Sequence, residues 1–242
     1  MQFDRVWDRP PFAVDYVDGT GGDLVIAFAS VGQDPDRPPA PEFVATATGR
    51  GTRAFPRRAL FVMDAARSWA SDPGFAPALA GALAIVARRA PVARILTIGL
   101  SMGGVAALAA ARVLPVDAVL AFGPQADPHL PGETRWRHWT ARLPPTARPA
   151  LPLPDRGRVW LFHGAADDMA QARAFPPHPR TDALIFPGLG HSDLVPHLKA
   201  RGVLAGLVEA GLAGDRRRLL RIAGSAGGLR RRPMLAPPSD PA

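Results

Sequence analysis

Apolar residues in this chain fall in short blocks between polar, glycine- and proline-rich stretches. Residues 24–29, 59–63 and 183–186 are such blocks; 93–98 is interrupted by Arg94 and Thr97, and 117–122 and 158–162 open on Asp117 and Arg158 and are apolar after it. All are short enough for one strand. An uninterrupted apolar run of this length predicts a strand covered on both faces. Residues 12–17 instead alternate apolar and polar, the pattern of an antiparallel or edge strand. Longer apolar stretches predict helices over 75–90, where Asp72-Pro73 marks the N-terminus, and over 103–113. Further helices are expected over about 193–212, broken near Gly202, and over 215–222. Residues 18–23 read as a glycine-rich turn and 32–41 as a Pro/Asp loop.

Strands alternating with helices at this spacing predict an α/β protein with a mostly parallel, doubly wound sheet. Residues 123–157 break the rhythm. They form a proline-rich insertion with Arg135, Trp136, Arg137, His138 and Trp139. A segment this long between two core strands is expected to act as a lid or binding loop. One domain is expected over 1–223, followed by a basic tail, 224–242, too poor in large apolar residues to fold.

Charge changes this picture little. The net charge is +8, but seven arginines and two aspartates from Gly214 onward supply most of it. No groove-reading or RNA-binding signature accompanies the arginines, so a solvated basic end is expected and nucleic acid is not. There are no cysteines, which excludes disulfides, thiolate catalysis and cysteine zinc sites. No run reaches the length of a membrane span. The first ten residues hold no apolar signal core, so a cytoplasmic protein is expected. No metal-ligand spacing, phosphate loop or dinucleotide fingerprint appears, and no cofactor is expected.

The chemistry is concentrated in Gly99-Leu100-Ser101-Met102-Gly103, where the 93–98 strand turns into the alanine-rich helix. A G-x-S-x-G turn between strand and helix holds its serine in strained geometry at the top of a sheet, with free helix amides beside it. A serine hydroxyl at neutral pH needs a base, and the base an orienting carboxylate. Both types follow in order. The 158–162 strand runs into His163-Gly164-Ala165-Ala166-Asp167-Asp168, and the 183–186 strand into Pro187-Gly188-Leu189-Gly190-His191.

With these three motifs in this order, the chain resembles the α/β-hydrolases. The resemblance implies Ser101 as nucleophile, His191 as base and Asp167 as acid, with Asp168 and Asp127 as alternatives. It implies an oxyanion hole from Met102 N–H and from Ala29 or Ser30. Phe28-Ala29-Ser30, Phe61-Val62-Met63-Asp64 with Ser68-Trp69, Ala121-Phe122-Gly123-Pro124-Gln125 and Arg135-Trp136 resemble a bacterial branch associated with polysaccharide and cell-surface gene neighbourhoods. That likeness fixes no substrate; a small-molecule or saccharide-linked ester is the expected partner. Asp64, Gln125, Arg135 and Trp136 are expected substrate contacts. His163 is expected to brace the acid loop, and His129 and His138 to lie on the insertion. Serine hydrolase, acyltransferase or thioesterase, and a non-catalytic binding module on a hydrolase scaffold are the functions to separate.

Overall fold

A computed structural model describes residues 1–32, 34, 36–51 and 54–231. Its centre is a nine-stranded sheet: β1 Asp4–Arg9, β2 Phe12–Val17, β3 Thr20–Phe28, β4 Arg57–Asp64, β5 Arg94–Leu100, β6 Ala118–Phe122, β7 Arg158–Gly164, β8 Thr181–Phe186 and β9 Leu229–Arg230. The strand order is β1-β2-β4-β3-β5-β6-β7-β8-β9. β4, β3, β5, β6, β7 and β8 run parallel, while β2 on β4, β1 on β2, and β9 on β8 are antiparallel. Each apolar block of the sequence is a central strand, and the alternating 12–17 segment lies in the antiparallel flank.

Helices cover both faces, which is why the central strands carry apolar residues on both sides. On one face, α2 Phe75–Arg89 and α3 Met102–Ala110 pack with Leu24, Ile26, Val119 and Leu161. Every residue of α3 is buried. On the other, α1 Val44–Thr48, α7 Leu204–Leu212 and α8 Arg216–Ser225 pack on Val25, Phe61, Leu96 and Phe162. The expected break at Gly202, with φ 68°, separates α6 Leu194–Ala200 from α7. Gly can take that left-handed turn without a side-chain clash.

Four sequence expectations change. Residues 20–23, expected within a turn, already belong to β3, with Thr20 opposite Arg57 and Asp23 opposite Arg94. β4 begins two residues before its apolar block because Arg57 and Arg58 are buried with polar partners for the ends of their guanidinium groups. Arg58 donates to the Ala90 and Pro91 carbonyls at 2.9 and 2.5 Å; Arg57 donates to the Ala47 carbonyl at 3.0 Å and pairs with Glu209. The expected tail starts too early: α8 reaches Ser225, and Leu229–Arg230 adds an edge strand opposite Ile185 and Leu184. Residues 232–242 of that expectation lie outside the described residues. The 123–157 segment packs on the body, burying Trp136, Leu143, Ala150 and Leu153 in the core around a single helical turn, α4 Arg137–Thr140. No helix among the described residues is long and apolar enough to cross a membrane.

Candidate active site

The loops leaving the C-terminal ends of β5, β6, β7 and β8 are neighbours because those strands are neighbours. Ser101 follows β5 directly. Its φ of 57° and ψ of −124° are far from helical or extended values, a conformation that costs about 1–3 kcal/mol. The turn is this sharp because nothing projects from its flanks. A Cβ on Gly99 would lie 2.2 Å from the Gly103 carbonyl, and one on Gly103 would lie 2.4 Å from the Phe28 carbonyl oxygen. The Ser101 N–H donates to the Phe122 carbonyl at 2.8 Å, tying the elbow to the end of β6.

The acid loop departs from the expectation. Asp168, not Asp167, holds the His191 ring: Nδ1 lies 2.9 Å from Asp168 Oδ2 and 3.1 Å from Oδ1. Asp167 accepts the His191 backbone N–H at 2.7 Å, and its side chain is 44% exposed against 1% for Asp168. The reason is local. The loop turns directly into α5 Met169–Ala174, with the Asp168 N–H donating to Gly164 and the Ala172 N–H to Asp168. That turn aims Asp168 inward and leaves Asp167 at the rim. Burial alone would raise the Asp168 pKa, but the hydrogen bond and charge of His191, with the His163 and Arg135 charges, hold it below the ordinary value. Asp127 is committed elsewhere, to Arg148 at 2.7 Å and the His129 N–H at 2.7 Å.

The expected substrate contacts also resolve differently. Arg135 reaches Asp168 at 2.9 Å, Asp167 at 3.4 Å and Glu133 at 2.7 Å, with its guanidinium 4.2 Å from the centre of the Trp136 ring. Trp136 meets the His191 ring edge-on at 4.9 Å. The insertion thus packs against the Asp168–His191 pair. Asp64 closes its own turn, accepting from Ala66 N, Ser68 N and Ser68 Oγ at 3.0, 2.7 and 2.7 Å. Gln125 touches Ser101: its Nε2 donates to Ser101 Oγ at 3.2 Å and to the Gly123 carbonyl at 3.1 Å. Among the described residues Gln125 is the one hydrogen-bond partner of Ser101 Oγ; no bond joins Ser101 to His191. Catalytic hydrogen bonds are commonly long before substrate binds.

Of the expected oxyanion donors, Met102 N–H opens α3 and has no partner among the described residues. The two others are engaged. Ala29 N–H extends the β3–β4 ladder to the Val62 carbonyl at 3.0 Å, and Ser30 N–H donates to Glu42 at 3.1 Å. Ser30 Oγ donates to the same Glu42 oxygen at 2.6 Å. That loop is braced by Arg67, which donates to the carbonyls of Val31, Asp34 and Arg37 at 2.8, 3.2 and 2.7 Å. Neither Glu42 nor Arg67 carries a local sequence signature of this role.

His163 is buried behind the acid loop. Its Nε2 lies 3.1 Å from the Pro124 carbonyl, and burial pushes its pKa down to about 4. His129 and His138 lie on the insertion, His129 against the Pro144 carbonyl and His138 against Trp139. Beside the elbow, Ala29, Asp64, Phe75, Met102 and Ala106 line a cavity of about 10 Å³, room for one water-sized group. A much larger cavity of about 800 Å³ is lined by Arg158, Phe175, Asp182, Arg216 and Arg230 and includes none of Ser101, Asp168 or His191. Among the described residues no three histidine, aspartate or glutamate side chains group to hold a metal.

No protein-family model matches the chain, and no curated protein matches it by sequence. Solved structures do match. Est1E from Butyrivibrio proteoclasticus superposes with a TM-score of 0.55 at 14% identity, over 87% of this chain and 99% of that one. An esterase from Pyrobaculum calidifontis gives 0.55 at 14% identity, over 93% and 85%. The capsule O-acetyltransferase of Neisseria meningitidis serogroup A gives 0.52 at 11% identity, over 82% and 92%. With the sheet order, the two helical layers and the elbow after β5, these likenesses establish that the chain has the α/β-hydrolase fold.

Proposed function

We propose that this protein is a serine hydrolase of small-molecule or saccharide-linked carboxylic esters, working through an acyl-enzyme on Ser101. The observation that carries the reading is the His191–Asp168 pair on the loops after β7 and β8, beside a serine held in elbow geometry after β5. With Nδ1–H donated to Asp168, His191 Nε2 keeps its lone pair and is the base. Nε2 takes the Ser101 proton, Oγ adds to the ester carbonyl, and the charge moves to the carbonyl oxygen beside Met102 N–H. His191 returns the proton to the departing alcohol, and water attacks the acyl-enzyme by the same route. The lowered pKa of Asp168 keeps it ionised opposite the imidazolium.

Acyl transfer is the second reading. It differs only in which nucleophile meets the acyl-enzyme, and the likeness to an O-acetyltransferase favours it. Ser101 and His191 are 3% and 8% exposed, so the surrounding walls restrict water. A fluorophosphonate probe tests both. Wild-type protein should take one label at Ser101, and Ser101→Ala none. A folded wild type that stays unlabelled across pH 5–9 excludes the reading. Added alcohols that raise the turnover of an activated ester and appear acylated select transfer over hydrolysis.

A further inference from the structure

We propose that Gln125 is a catalytic residue of the Ser101 reaction: its side-chain N–H donates to Ser101 Oγ and stabilises the charge that grows there as the proton leaves. This rests on the serine-hydrolase reading above. The direction of the Gln125 amide follows from its neighbours. Trp69 Nε1, which can only donate, lies 2.9 Å from Oε1. The Gly123 carbonyl, which can only accept, lies 3.1 Å from the other amide atom. Both neighbours require the NH₂ group to be the one facing Ser101 Oγ at 3.2 Å. Its two hydrogens then serve Gly123 and Ser101.

Such a bond suits the chemistry. Ser101 Oγ accepts from Gln125, so its own proton is left for His191. Gln125 and Trp69 are 1% and 0% exposed. A donor held in a buried site strengthens as its acceptor gains charge, and needs no rearrangement when the reaction occurs. The support beneath is itself strained: Arg67, Trp69 and Ala70 all have positive φ, of 50°, 52° and 60°. Backbone held in such regions persists only where its surroundings enforce it; here Arg67 is clamped by three carbonyls, and the Trp69 indole is the Gln125 anchor.

The charge on Oγ appears twice. In acylation the Oγ–C bond forms while the Oγ proton goes to His191 Nε2. In deacylation the attacking water gives its proton to His191, the Oγ–C bond breaks, and Oγ departs with the electron pair until His191 returns the proton. Gln125 faces Oγ at both points. With a fluorophosphonate only the first applies: the Oγ–P bond forms, the P–F bond breaks, and fluoride leaves.

The labelling rate constant is measured against pH for full-length wild type, Q125L, Q125E and W69F, each checked for cooperative unfolding. Q125L should label about 10- to 100-fold more slowly, the effect expected of losing one hydrogen bond to a charging group. In Q125E the protonated acid can donate through its O–H, whereas its carboxylate repels a charging Oγ. A carboxyl as buried as Gln125 titrates above its ordinary range, so the Q125E profile should bend downward as pH rises through that titration, where wild type does not. W69F should fall between wild type and Q125L, and W69F/Q125L should be no slower than Q125L, because the indole acts through the amide. Q125L within threefold of wild type, or a Q125E profile parallel to it, overturns the proposal. The Q125E comparison decides the matter within one folded protein even where Q125L does not fold. An unlabelled wild type overturns the serine reading itself, while a labelled wild type with unchanged Q125L overturns the Gln125 role alone.

Discussion

Asp168 grips the imidazole of His191 with both carboxylate oxygens, at 2.9 and 3.1 Å, while its sequence neighbour Asp167 holds only the backbone of the same histidine. Two adjacent carboxylates thus divide the work of one loop. One fixes the ring and its tautomer, and the other fixes the chain that carries the ring.

This division predicts unequal costs. Asp168→Asn removes the acceptor that selects the Nδ1–H tautomer, and a change of that kind lowers kcat by about 10³- to 10⁴-fold. Asp167→Asn keeps an oxygen for the His191 N–H and should lower kcat by less than about tenfold. Steady-state rates of the two variants on one activated ester check this. Equal losses, or a larger loss at Asp167, would return the acid role to Asp167.

Arg135 should act through the same pair. Arg135→Ala removes a cation 2.9 Å from Asp168, leaving that carboxylate less ionised at low pH. Loss of a positive neighbour raises a carboxylate pKa. Removing a cation beside the Asp168–His191 pair favours the protonated form of the pair, so the acid limb of the kcat profile should move to higher pH, with a smaller effect at pH 8. Because Arg135 also covers the Trp136 ring, the readout is the position of the acid limb and not KM. An unmoved limb with uniformly lower activity would mean that Arg135 only packs.

How far the sequence led can be judged at individual residues. The central strands were legible because a strand buried on both faces is apolar nearly throughout: residues 24–28 and 118–122 are wholly so, and 95–98 is broken only by Thr97, whose hydroxyl donates to the Ala107 carbonyl. Ser101 was legible because its turn demands glycines at fixed positions. Asp168 was not, since neighbouring aspartates differ only in which way a turn aims them, and α5 decides that. The Ala29 and Ser30 amides looked available because their partners, Val62 and Glu42, lie far along the chain. β1 was hidden by its charges: Arg5 pairs with Asp15 across the strands and with Asp8 on the same strand. β9 has only two residues, too few for any periodicity.

Gly123 offers a steric test of the His191 position. Its φ is 52°, and a Cβ there would fall 2.7 Å from both Nδ1 and Cε1 of His191 and 3.1 Å from Asp168 Oδ2. Gly123→Ala should therefore displace the imidazole and cut kcat by about 100-fold or more, the order of loss that a 1 Å misplacement brings. Left-handed backbone costs a non-glycine residue about 1–2 kcal/mol, so the fold should survive with a modestly lower Tm. Activity within a few fold of wild type would show that the ring does not need its present seat.

The water-sized cavity on Met102 and Ala29 does not include Ser101, but Met102 follows Ser101 directly, so little room is left there for an acyl chain and a preference for short acyl groups is expected. Among p-nitrophenyl esters, kcat/KM should be highest for acetate and fall steeply by hexanoate, because each added methylene must open a packed wall of Phe75 and Ala106. Overpacking a well-filled site costs about 1–3 kcal/mol, or roughly 5- to 150-fold in rate. Met102→Ala should enlarge the space and flatten the series. A wild-type optimum at octanoate would place the acyl group in another part of the molecule.

His163 sets a pH dependence of stability that is separable from catalysis. Burial pushes its pKa down to about 4 from 6.5, and Nδ1 has no hydrogen-bond partner among the described residues. Between those values the unfolded chain binds a proton that the folded chain refuses, so stability rises as pH goes from about 4 to about 6.5 and is level above. The full shift corresponds to about 3 kcal/mol. Asp168 and Glu133, whose pKa values are lowered, also lose stabilisation on acidification, but below the ordinary carboxylate range. Glu42 and Asp64, raised by burial, work the other way and disfavour the fold as pH rises through their titration. Comparing His163→Gln with wild type cancels these contributions. Denaturant midpoints should climb for wild type between pH 4.5 and 7, while the variant, which binds no proton in either state, should climb less. Parallel profiles would mean that His163 accepts its proton in the folded protein as readily as in the unfolded one.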